Sequence, residues 1–146
     1  MNSISLEWRR PNRGEAPQVG ISIDGQELLT LIREIEAPLA EDGQIIGAYA
    51  GLDARVLDLR RHFLGDPDPT FQDGAWTEVL VCADCQEPGC WPLRVKIEIE
   101  GDTIAWTAFQ QPHRPGWSYE ALGSFRFDRL EYEAALGRLV TAAEST

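Results

Sequence analysis

The segment 93–110 constrains the fold most. Leu93, Val95, Ile97 and Ile99 alternate with Arg94, Lys96, Glu98 and Glu100, Gly101-Asp102 follows as a turn, and 103–110 returns with Ile104, Trp106 and Ala108 on one face. Apolar residues at a period of two, with charges between them, make a strand with one buried and one wet face. That is the pattern of an antiparallel sheet. The fold must therefore supply further elements to cover the apolar face.

Other runs supply them. Ile4, Leu6 and Trp8 alternate with polar residues, 19–23 alternates again, 76–81 reads as a strand leading into 93–99, and 124–127 reads as a short edge strand. Asp24-Gly25 suits a two-residue hairpin turn. Asp24 with Glu27 also matches a capping box, with Ile23 and Leu28 as its staple, and this second reading predicts a helix over 26–36. Leu28, Leu31, Ile32 and Ile35 would share one face, and Pro38 discourages continuation. Residues 37–51 read as loop, with Ile45 and Ile46 as core contacts. Val56, Leu57, Arg60, Phe63 and Leu64 mark a short helical segment that ends at Gly65. The stretches 10–17, 66–69 and 111–116 are rich in turn residues. Asp128 with Glu131 three positions on caps a helix over 129–142, whose face is Tyr132, Leu136, Leu139 and Val140. The expectation is an α+β fold: one domain over 1–146, mainly antiparallel sheet, with two main helices (26–36 and 129–142) packed on it.

Charge narrows the partners. The net charge is −11, and the stretches 34–54 and 62–93 contain no Lys or Arg. Such a surface repels nucleic acid and anionic membranes and favours a basic protein or a cation. Neither a spanning apolar run nor a secretory leader is legible, so a cytoplasmic location is expected. Edge strand 4–9 offers pairing between copies without fixing an oligomeric state.

All three cysteines fall in one loop, Cys82-Ala83-Asp84-Cys85-Gln86-Glu87-Pro88-Gly89-Cys90. An odd count argues against a disulfide framework, while Cys-x2-Cys is one arm of a zinc site. A fourth ligand follows from topology. If 76–81, 93–99 and 103–110 form a meander, the loop 111–117 returns to the edge that carries the cysteines. His113 then completes a Cys82, Cys85, Cys90, His113 set, and Trp91, Arg114, Trp117 and Tyr119 form a binding rim beside it. The same thiols also read as inert, with Cys82 packed as a small apolar residue. A redox Cys-x2-Cys is disfavoured because Asp84 and Glu87 oppose thiolate formation. A Cys90–His113 dyad with Arg114 as anion stabiliser is a further reading. Asp66-Pro67-Asp68 lacks the ligands of a calcium loop, and no Lys-Ser/Thr follows Gly47-Ala48-Tyr49-Ala50-Gly51 to make a phosphate loop.

The runs Tyr49-Ala50-Gly51-Leu52, Gly89-Cys90-Trp91-Pro92-Leu93 and Gln111-Pro112-His113-Arg114 recur together with Trp106, Phe109, Tyr119, Leu122-Gly123 and Phe125-Arg126-Phe127-Asp128. In these the chain resembles a group of small bacterial proteins of unknown function. The resemblance implies no activity. Members show Cys-x-Cys-Gly where this chain has Cys82-Ala83-Asp84-Cys85, so Cys90 is the thiol that the resemblance supports best. The function expected first is a non-enzymatic, immunity-like protein that binds a basic protein. Next come a small protein with a structural zinc site at the cysteine loop, and a thiol-dependent enzyme. No complete base–nucleophile–orienter set is legible, so no catalytic residue is assigned.

Overall fold

The structure is a computed structural model that describes residues 1–10 and 16–144. Most of the expected loop at 10–17 lies outside the described residues. Strands β1 (Ile4–Arg9), β2 (Gln18–Ile23) and β3 (Gln26–Glu27) form a small antiparallel sheet, followed by helix α1 (Leu28–Glu36). The larger sheet contains β4 (Tyr49–Gly51), β5 (Gln72–Asp73), β6 (Trp76–Cys82), β7 (Leu93–Glu100), β8 (Thr103–Gln110) and β9 (Phe125–Asp128). Its order is β4-β6-β7-β8-β9, with β5 paired to the start of β6. Helix α2 (Leu59–Phe63) lies between β4 and β5, and α3 (Arg129–Glu144) closes the chain. The α+β single domain and the meander are thus as the sequence implies. No described helix is long and apolar enough to cross a membrane.

At Asp24-Gly25 the hairpin prevails over the capping box. Both residues take positive φ, 53° and 81°, and β2 pairs with β3 across them. These are the values of the two-residue turn that matches strand twist. The Asp24 carboxylate accepts from Ser3 N (2.8 Å) and Asn2 Nδ2 (2.7 Å) instead of capping a helix. The helix therefore begins at Leu28, two residues later than expected, with Glu27 as an N-cap that makes no side-chain bond. At the other helix the capping expectation holds: Glu131 N donates to Asp128 Oδ2 at 3.0 Å.

The alternation expected in β8 is broken at Ala108. Val95 faces Phe109 while Lys96 faces Thr107, so Ala108 is a bulged residue with φ of 52°. One extra residue reverses the facing of every residue beyond it in the strand. Phe109 turns inward in place of Ala108, which is exposed. Ile45 and Ile46 are also corrected: they are 65% and 36% exposed. That part of the core is filled by Tyr49 and Leu52, because Gly47 N is drawn inward to Glu36.

The core sits between the larger sheet, β1–β2, α2 and α3. Trp106 on β8 is fully buried against Phe63, Phe109 and Phe127. Its indole N–H donates to Tyr132 Oη (3.0 Å), which donates to Phe63 O (2.5 Å), so one chain of bonds ties β8, α3 and α2. Trp8 Nε1 donates to Leu139 O at 3.0 Å and fastens β1 to α3. Each large side chain buried here contributes about 1.5–3 kcal/mol.

Candidate metal centre

The centre begins where β6 ends. Cys82 pairs in register with Tyr49, and Ala83 N donates to Ala48 O at 3.0 Å, so the first cysteine is anchored by the sheet. The chain then reverses. Gln86 N donates to Cys82 O (2.9 Å), and Gln86 itself takes a positive φ of 57°. This tight turn aims backbone N–H groups at sulfur. Cys85 N and Asp84 N serve Cys82 Sγ, and Glu87 N donates to Cys85 Sγ at 3.5 Å. A second turn through Gly89 (φ 76°) brings Cys90 back over the first. The three Sγ atoms all lie within 4.8 Å of one another. Cys82 is buried, Cys85 and Cys90 are exposed, and all three are free thiols.

These three cysteines lie close enough to bind a metal ion. Tetrahedral zinc with Zn–S bonds near 2.3 Å spaces its sulfurs about 3.8 Å apart, inside the observed limit. The electrostatics suit a cation. The N–H of Cys85, then that of Asp84, hold the Cys82 thiol below its ordinary pKa despite partial desolvation. The Cys90 thiol, crowded by the sulfurs of Cys85 and Cys82, is pushed up to about 12. A cation beside the sulfurs would relieve the crowding that opposes ionisation of Cys90.

The meander does bring the 111–117 loop to this edge. His113 Nε2 lies 2.9 Å from Gly89 O, and its ring stacks on Trp91 with centroids 5.8 Å apart and planes 8° from parallel. The Arg114 guanidinium lies 4.9 Å from the Trp91 ring and 5.9 Å from that of Trp117. Trp91, His113, Arg114 and Trp117 thus form one surface group beside the thiols. His113 does not join the cluster of ligand atoms within 4.8 Å. Tyr119 is apart from this group: it is buried, with its hydroxyl on Glu36.

Glu36 anchors both flanking loops and was not anticipated. It is fully buried at the end of α1, where its carboxylate accepts from Gly47 N (2.8 Å), Tyr49 Oη (2.6 Å) and Tyr119 Oη (2.7 Å). Gln111, also fully buried, donates to Tyr49 Oη at 3.0 Å and accepts from His113 N at 3.0 Å. Burial, reinforced by the carboxylate, pushes the Tyr49 and Tyr119 phenols well above their ordinary range, so both stay donors. One network therefore holds the strand opposite Cys82 and the loop carrying His113. Its signal in the sequence is spacing: Leu28, Ile32 and Glu36 recur every four residues, which puts a carboxylate in the buried stripe.

The base-free stretch 62–93 is not base-free in space. Arg55 donates to Gln86 O, lies 3.6 Å from Glu87, and shares its Nε–H between the two carboxylate oxygens of Asp53. Comparison with known protein families, with curated proteins and with solved structures finds no match. The chemistry is accordingly read from the site itself.

Proposed function

We propose that Cys82, Cys85 and Cys90 bind one zinc ion and that the ion is structural, closing the 82–90 loop. The observation that carries this reading is the convergence of three sulfurs within 4.8 Å in a turn whose backbone N–H groups point at two of them. Such N–H bonds favour thiolate, the form that binds metal. A set of three sulfurs selects zinc over harder cations such as calcium or magnesium. A basic protein partner, expected from the net charge, has weaker support at this edge, because Arg55 stands among the acids there.

Elemental analysis of tag-free protein tests the proposal. The expected result is about one equivalent of zinc, lost in Cys85→Ser and Cys90→Ser. Metal-free protein that keeps its fold and takes up no added zinc would refute it.

A further inference from the structure

A three-sulfur site leaves one vertex of a tetrahedron to be filled, and sites with three protein ligands hold an exchangeable fourth. Among the described residues, no His, Asp or Glu atom joins the sulfur cluster. His113 is the nearest candidate by topology, and its bond to Gly89 O resembles the outer bond of a ligating histidine. Its ring, however, lies flat on Trp91, with Arg114 on the same indole, and both its nitrogens fall outside the cluster. Cys82 is buried while Cys85 and Cys90 are exposed, so the sulfur cluster stands open to solvent on the side of those two residues.

Charge then selects the ligand. Three thiolates on a divalent ion leave one negative charge. Asp53, Asp84 and Glu87 flank the turn, against the guanidiniums of Arg55, which pairs with Asp53 and Glu87, and of Arg114, which lies over Trp91. A further anion is repelled, while a neutral donor is not. Resting on the metal reading above, we propose that the centre keeps an open, solvent-facing fourth position that takes small neutral nitrogen donors of the imidazole class in preference to anions.

Cobalt(II) in the intact protein tests this, because its visible bands report the ligand set. The expected result is a thiolate charge-transfer band in wild type and His113→Ala alike, with coincident visible bands. Imidazole should then shift those bands saturably, and azide should bind roughly tenfold more weakly. Visible bands that differ in His113→Ala, in a wild-type protein blind to imidazole, would place His113 at the fourth position and overturn the inference. Equal or tighter binding of azide would overturn the charge argument. Absence of any cobalt–thiolate band would overturn the metal reading itself. The wild-type titrations alone decide the open position, even if the variant folds poorly.

Discussion

Replacing Tyr119 by Phe removes one hydroxyl and leaves the shape of the core intact. Glu36 Oε2 then loses its 2.7 Å donor and keeps only Tyr49 Oη at 2.6 Å. The carboxylate is fully buried, so water does not replace the lost donor without opening the site. A hydrogen bond to a charged group is worth about 1.5–3 kcal/mol. At this size that is a fall of about 4–8 °C in Tm for a loss near 2 kcal/mol, or about 1 M in the urea midpoint. Tyr49→Phe should cost more, because it also leaves the buried Gln111 Nε2 without its acceptor. The double variant strips Oε2 of both donors and leaves Gln111 Nε2 without its acceptor, so the cost should reach about 4 kcal/mol or more. Urea melts of the four proteins, read as a double-mutant cycle, check this. A Tyr119→Phe loss below about 0.5 kcal/mol would refute the claim that Glu36 depends on these donors.

Stability should fall as pH drops below about 6.5, because burial holds the pKa of His62 below its unfolded value. The unfolded chain then binds the proton first, and the loss grows until pH passes the folded value. Asp24 and Asp68 are also held low, but from an ordinary value of 3.8, so urea midpoints between about pH 5 and 6.5 isolate the histidine; a flat profile there would contradict the assignment. Ala108→Gly should raise stability by about 0.5–1 kcal/mol, since the bulge holds an exposed alanine at positive φ. Gln86→Gly should behave likewise in the cysteine turn without reducing zinc content, checked by melting and by elemental analysis. Gly51→Ala places a Cβ 2.4 Å from Val19 O, where β4 meets the small sheet, and should cost about 2 kcal/mol or more in a urea melt.

Much of the fold was legible because its signals are local. The 93–110 pair, the Asp128–Glu131 cap and the stop before Pro38 each depend on residues a few positions apart. The Asp24 region was ambiguous because one tetrapeptide satisfied both a hairpin and a capping box. The deciding bonds come from Asn2 and Ser3, across the small sheet. Ile45 and Ile46 were misplaced for a related reason: apolar character does not say which of two nearby candidates a buried carboxylate will draw inward. In the site, the three thiols were legible from clustering and the approach of His113 from strand order. The orientation of its ring was not, since Trp91 and Gly89 O set it.

By itself, the sequence determined an antiparallel meander with its cysteines at one end and the His113 loop beside them. Strand period and chain direction require that much. Tertiary structure alone decided that the sulfurs converge, that Ala108 bulges, that Arg55 enters the acidic flank, and that Glu36 is buried beneath the site. Each of these depends on groups far apart in the chain competing for the same space and the same hydrogen bonds. That competition is settled only when the elements pack.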